Sequence, residues 1–478
     1  MLRRALTAAL TVLALGACTA DAPPPPARSF PARPNIVFVL TDDLTPDLLR
    51  FMPRVRALMR AGTSFAQYTV TDSLCCPSRA SILSGKYPHN TGVFTNTGAD
   101  GGIGAFRRGA DRSTYATDLR AAGYRTALYG KYLNGYTVRS GHVPPGWLEW
   151  GVAGPDGYAM TDFDLLENGR AVHHGGYLNE VLTAKTQDFV RRAVAARQPF
   201  LVQLSTFTPH RPYTPAPRDA RLFPGLTAPR TPAFDRLPTA APRWLAGRAA
   251  LSTASIARLD AAYRKRAQSV VSVDRMLGEV QATLAERGVA GNTVVVFSSD
   301  NGYHLGEHRL NPGKQTAFET DLRVPLIMAG PGIRAGATVR APALNADLRP
   351  TFAALAGLTP PADADGRDLT PLLRGERPPA WRTVALVEHH GPPTDPTDPD
   401  RQTWAAGNPT TYSALRTPRW TYVEYADGFL EYYNRTRDPH QLRNIAAALP
   451  LARRAALHRK LATLTACRGP AACHAADR

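Results

Sequence analysis

Two runs of unbroken apolar residues, Asn35-Ile-Val-Phe-Val-Leu40 and Thr293-Val-Val-Val-Phe297, constrain the fold of this chain most. A half-exposed strand alternates apolar and polar side chains. A continuous run of this length fits a strand buried on both faces, as in a parallel sheet covered by helices. Each run ends in oxygen-bearing side chains, Asp42-Asp43 after the first and Asp300-Asn301 after the second. In open α/β sheets, sites form outside the carboxyl ends of strands, so these four residues are candidates to meet there. For either pair alone, a helix cap or turn is the better reading.

The remaining chain continues the alternation. Met52 to Ala61, Thr114 to Gly123, Tyr177 to Ala196, Leu259 to Arg287 and Leu348 to Leu358 read as helices. Thr126 to Tyr129, Pro199 to Leu204 and Val324 to Met328 read as strands. This predicts an α/β fold with a large, mostly parallel sheet sandwiched by helices. From roughly Pro371 the pattern changes to short strands at Tyr412 to Leu415, Trp420 to Val423 and Phe429 to Tyr432, closed by a helix from Leu451 to Leu464. That predicts a smaller antiparallel α+β C-terminal domain. The Pro-rich stretch from Pro215 to Arg243 has no periodicity and is expected to be a surface excursion near the mouth of the site.

Charge narrows the partners less than it first suggests. The formal net charge of +18 suits polyanions. However, the basic residues are nearly all Arg, with Lys only at 86, 131, 185, 265, 314 and 460, which reflects composition. No dense Lys/Arg run or nucleic-acid motif occurs, so no nucleic-acid partner is expected.

Cysteine placement speaks to compartment. Arg3-Arg4, the apolar run from Ala5 to Leu15 and the ending Leu15-Gly-Ala-Cys18 read as an export signal with a lipobox-like end. The run is too short to span a bilayer. Cys18 would then be lipidated, with a plain cleaved signal as the other reading. Residues 19–33, with Pro23 to Pro26, read as a Pro-rich tether. The chain is thus expected to be exported and anchored by its N-terminal lipid at the outer face of a bacterial cell membrane. Cys467 and Cys473 would close a small disulfide loop in such a protein.

That leaves Cys75 and Cys76, in Ser73-Leu-Cys-Cys-Pro-Ser-Arg-Ala-Ser-Ile-Leu-Ser-Gly-Lys-Tyr-Pro-His-Asn90. The stretch reads as a loop entering a helix, with Pro77 in its first turn. Cys75 falls at the helix start, where free N–H groups favour anions, and Arg79 lies one turn in. A nucleophile-type side chain at such a place suits a charged ester, although a buried, inert Cys pair would look similar.

Cys75-Cys76-Pro77-Ser78-Arg79 followed by Gly85 resembles the signature of the type I sulfatases, Cys-x-Pro-Ser-Arg with a downstream Gly. The double Cys and the Lys-Tyr-Pro-His-Asn tail resemble the N-acetylglucosamine-6-sulfatase branch. The resemblance extends to Gly130-Lys131-Tyr-Leu-Asn134, to Thr208-Pro-His210-Arg-Pro, to the segment beginning at Lys314 and to Tyr433 through Ala446. It implies an alkaline-phosphatase-like fold, with residues 34–370 as catalytic domain and 371–478 as C-terminal subdomain. It also implies that a formylglycine-generating enzyme oxidises Cys75 to Cα-formylglycine, whose hydrate attacks sulfur. Asp42, Asp43, Asp300, Asn301 and the side chain at position 75 are implied as metal ligands. Ca²⁺ is expected rather than Mg²⁺, because an all-protein oxygen cage suits the larger ion. Arg79, Lys131, His210 and Lys314 are implied as catalytic residues, and His304 is expected to line the substrate cleft.

Leu133 stands where many sulfatases carry a His, which leaves the base for sulfate release open between His89 and Asn134. His308 is taken as structural. A zinc pair with His304 is rejected, because Gly306 interrupts it and no third ligand presents itself. The implied substrate is a sulfated carbohydrate of the 6-O-sulfated N-acetylglucosamine type, with aryl sulfate as a surrogate. The alternatives are a phosphate or phosphonate monoester hydrolase of the same superfamily, or a non-catalytic glycan-binding lipoprotein.

Overall fold

The computed structural model describes residues 29–392, 395–396, 398 and 401–478. The expected export signal, Cys18 and most of the tether lie outside the described residues. Among those described, no helix is long and apolar enough to cross a membrane.

The two apolar runs form adjacent, parallel, fully buried strands, Asn35–Thr41 and Thr293–Ser299, with Leu40 opposite Ser298. They sit at the centre of a ten-stranded sheet. Across that sheet the order is Ala337–Val339, Thr63–Phe65, Leu326–Ala329, Thr293–Ser299, Asn35–Thr41, Phe200–Ser205, Arg125–Gly130, Glu149–Ala153, Phe163–Glu167 and Arg170–His174. The five strands from Thr293–Ser299 to Glu149–Ala153 are mutually parallel; antiparallel pairs extend the sheet on both flanks. Because successive side chains point to opposite faces, Ile36, Phe38 and Leu40 join one core while Val37 and Val39 join the other. The helices Tyr115–Ala121 and Leu348–Leu355 cover the first face. The helices Pro53–Ala61, Leu178–Ala195 and Thr253–Glu286 cover the second. The result is a three-layer sandwich with every central strand's carboxyl end on one side.

The helix Cys75–Ser84 is exceptional in that all ten of its residues are buried. An amphipathic stripe would serve no purpose there, which explains its run of small and polar residues. Its N-terminal N–H groups have no partners within the helix, so Pro77 in the first turn costs nothing. Gly85 stops the helix at φ 70°, in the left-handed region, and donates its N–H to the Ser81 carbonyl at 2.8 Å.

A separate four-stranded antiparallel sheet, Ala385–His389, Tyr412–Arg416, Trp420–Tyr425 and Leu430–Asn434, forms the C-terminal part with the helix Leu451–Thr465. Buried Arg382 pairs with Asp347 and Asp477, tying the chain's end to the main sandwich. The disulfide Cys467–Cys473 is formed. The stretch from Pro215 to Arg243 holds only one short 3-10 turn, Pro217–Asp219, yet it buries Ala228 and Ala233.

Candidate active site

Four parallel strands deliver the charged residues. Asp42-Asp43 and Asp300-Asn301 follow the two central strands, Lys131 follows Arg125–Gly130, and His210 lies in the loop after Phe200–Ser205. The buried helix brings Cys75 to meet them. Cys75 Sγ lies 3.1 Å from Asp42 Oδ1 and accepts from Lys314 Nζ at 2.8 Å. Lys314 Nζ also donates to Asp43 Oδ1 at 2.8 Å, and Lys131 Nζ donates to Asp42 Oδ2 at 2.5 Å. Arg79 locks the helix to the sheet: its Nε donates to Asp300 Oδ2 at 2.7 Å and its Nη1 to Ser205 Oγ at 2.7 Å.

These groups are all essentially removed from water. Burial alone would raise the Asp42 pKa, but Lys131, His210 and Arg79 overcome it and hold that carboxyl below its ordinary value. Burial pushes Asp300 up against the pull of Arg79. Burial works against the charge of Lys131, yet Asp42 and Cys75 raise its pKa well above normal, so the ammonium persists. Burial pushes the Cys76 thiol up to about 12, leaving it inert.

Asp42, Asp43, Asp300 and Cys75 place their ligand atoms within 4.8 Å of one another. Asn301 Nδ2 donates to Asp43 Oδ1 at 2.6 Å, while Asn301 Oδ1 and Asp43 Oδ2 are buried without a hydrogen-bond partner. Buried polar atoms are rarely left unpaired. Two such hard oxygens inside a cluster of three carboxylates and an amide fit a divalent metal cation.

Above the cluster opens a cleft of about 320 Å³. Buried Asp43, His210 and Lys314 form its floor, and exposed Arg211, Arg258 and Arg401 stand at its rim. His210 Nε2 is 3.8 Å from Asp43 Oδ2. A neighbouring cavity of about 330 Å³ shares Tyr303 with the cleft and is lined by Asp47, Glu307, Glu319 and Arg323.

His304 departs from expectation. It is buried, its Nδ1 is 3.0 Å from both Asp321 oxygens and its Nε2 is 2.8 Å from the Ala406 carbonyl. With both nitrogens engaged it supports the wall from behind and does not line the cleft. His89 is likewise committed, to Glu388 and to the Cys467 carbonyl. Asn134 lies beside Cys76, its backbone affecting that thiol. His308 stacks on Phe318 at 3.7 Å and is structural. Sequence reasoning missed Ser205, the rim residues Arg211, Arg258 and Arg401, and Asn345, whose Nδ2 donates to Ser78 Oγ at 2.9 Å. Ser205 was discoverable as the last residue of a buried strand; a lone Arg on a helix or loop carries no such signal.

Residues 34–358 match the sulfatase family, and residues 306–466 match the C-terminal region of the N-sulphoglucosamine sulphohydrolases. The chain is 35% identical to the N-acetylglucosamine-6-sulfatase of Capra hircus, over 92% of this chain and 84% of that protein. Its fold is similar to that of a protein solved in complex with its substrate D-glucosamine-2-N,6-O-disulfate, with TM-score 0.74, 24% identity and coverage of 90% and 97% of the two chains. A phosphonate monoester hydrolase from Silicibacter pomeroyi also shares it, with TM-score 0.67, 25% identity and coverage of 89% and 93%. The match through both central strands, the Cys75 helix and the C-terminal sheet shows that this chain belongs to the sulfatase family and is a sulfuric ester hydrolase.

Proposed function

We propose that this sulfatase removes a 6-O-sulfate from an N-acetylglucosamine-type residue of a sulfated glycan. The observation that carries this reading is the similarity to N-acetylglucosamine-6-sulfatase across almost the whole chain. The three arginines at that rim suit a polyanionic saccharide.

In this reading formylglycine made from Cys75 supplies the oxygen nucleophile toward sulfur, and Ca²⁺ held by Asp42, Asp43, Asp300 and Asn301 supplies the Lewis acidity that activates it. The surrounding residues do the rest. Lys314 and Lys131 flank position 75 with ammonium groups, and Arg79 fixes the helix, so charge spreading over the sulfuryl oxygens meets donors that need no rearrangement. His210 or Lys314, on the cleft floor, protonates the departing alcohol oxygen. Burial of this cluster excludes bulk water and strengthens each of these interactions. Export, lipidation at Cys18 and a domain boundary near residue 370 complete the proposal and rest on the sequence.

Hydrolysis of N-acetylglucosamine 6-sulfate, its 3-sulfate isomer and phenylphosphonate by the matured enzyme tests the reading. A kcat/KM for the 6-sulfate about 100-fold above both others is expected. Preference for the phosphonate would assign the site to that chemistry, and equal rates on the two sulfate isomers would refute the 6-O assignment.

A further inference from the structure

The C-terminal part carries another cavity, which the site above does not use. It lies between the helix Leu451–Thr465 and the turn joining the strands Tyr412–Arg416 and Trp420–Tyr425, and measures about 470 Å³. It shares no lining residue with the catalytic cleft. Val384, Leu457 and the Trp420 ring supply apolar walls. Its charged residues are Arg419, Arg453 and Lys460, and no Asp or Glu side chain lines it.

Some exposed arginines, Arg191, Arg218 and Arg230 among them, are answered by Asp or Glu side chains. Exposed Arg419 and Arg453 are in no ion pair among the described residues. Lys460 Nζ donates to a terminal oxygen of Arg478 at 2.6 Å, which answers its charge, so the two arginines carry the groove's unopposed charge. Arg453 is also held in place: its guanidinium carbon lies 5.4 Å from the Trp420 ring centroid, and Tyr432 stacks on Trp420 with centroids 5.8 Å apart and planes at 20°. A flat guanidinium fixed on an aromatic ring is pre-organised for an oxyanion. Arg453 and Arg454 occupy the first turn of their helix, which has no acidic residue, so both oppose the helix dipole. Arg454 is absorbed by the Leu449 and Ala447 carbonyls, and Arg453 faces the cavity.

We propose that this groove binds a sulfated glycan chain, with its sulfate groups against Arg419 and Arg453. It is a second contact for the polymer, separate from the residue being desulfated. The choice of occupant rests on the proposed reading of the substrate as a sulfated glycan.

The test is calorimetric binding of a heparin-type sulfated octasaccharide, in a Cys75→Ala background that cannot turn over. Arg419→Glu/Arg453→Glu is compared with Arg120→Glu/Arg139→Glu, an exposed pair that changes net charge equally. The groove pair is expected to weaken binding by about tenfold or more, and the control pair by less than about twofold. Equal weakening by the two pairs would reduce the effect to bulk charge and overturn the proposal, as would unchanged binding. Undiminished binding of the desulfated octasaccharide, with its uronate carboxylates intact, would overturn the assignment to sulfate. With Cys75 present, the groove pair should raise KM for the octasaccharide while leaving kcat/KM on an aryl sulfate within about twofold. Absence of turnover on every sulfated sugar would sink the substrate reading, while the binding comparison would still report on the groove.

Discussion

Replacing Arg79 with Lys tests the electrostatic frame of the site, because it retains the positive charge but removes the guanidinium fork. Arg79 makes charged hydrogen bonds to Asp300 Oδ2 and Ser205 Oγ, both at 2.7 Å, and a longer one of 3.3 Å to the Lys131 carbonyl. A single ammonium on a shorter reach can satisfy at most one of these well. Two charge-assisted bonds lost in a dry site, at about 1.5 kcal/mol each at the low end, amount to about 3 kcal/mol of stability. Arg79 is also the strongest charge holding down the pKa of buried Asp300. Weakening that contact favours the protonated carboxyl, which is a poorer metal ligand. The variant should therefore show a lower denaturant midpoint at unchanged slope, and kcat/KM on an aryl sulfate should fall by about 100-fold or more. A variant within about 0.5 kcal/mol of the parent, with near-parental turnover, would refute the assignment of Arg79 as the brace between helix and metal cluster.

The inert Cys76 thiol predicts that Cys76→Ala leaves aryl sulfate turnover within about twofold, whereas Cys75→Ala abolishes it; equal losses would mean the reacting residue is misassigned. Chelation should abolish activity, with Ca²⁺ restoring it better than Mg²⁺, as read by rate against added ion. Activity untouched by exhaustive chelation would count against the Asp42, Asp43, Asp300 and Asn301 cluster. Burial pushes Glu431 up to about 7, with Tyr425 and Tyr433 donating to it, against 4.5 for the free group. The folded state therefore binds the extra proton between those values, so stability falls as pH rises through that window, by about 3 kcal/mol in all. Glu431→Gln should flatten this part of the stability profile, and an identical slope in both proteins would contradict the sign.

What could be read from the chain follows from where each residue's environment leaves a mark on sequence. Burial on both faces turns a strand into a continuous apolar run, so Asn35–Thr41 and Thr293–Ser299 were legible, and with them the positions of Asp42, Asp43, Asp300 and Asn301. The flanking strand Arg170–His174 is mostly exposed and carries no such mark, and the antiparallel flank it forms with Phe163–Glu167 went unread. The helix Cys75–Ser84 has no usable periodicity because every face is buried; only its motif gave it away. The placement of His304 was illegible for a different reason. Its partners, Asp321 and the Ala406 carbonyl, come from a later turn and from the C-terminal part, and nothing local announces that they close over it. Arg258 and Arg453 belong to the same class, since their meaning depends on the segments packed opposite them.

The central claim concerns the chemical state of one side chain. Mass spectrometry of the proteolytic peptide spanning Cys75, from protein made in its own host, measures that state directly. The account predicts formylglycine at position 75 with Cys76 unmodified. An intact thiol at position 75 in every molecule of a preparation that hydrolyses sulfate esters would contradict it.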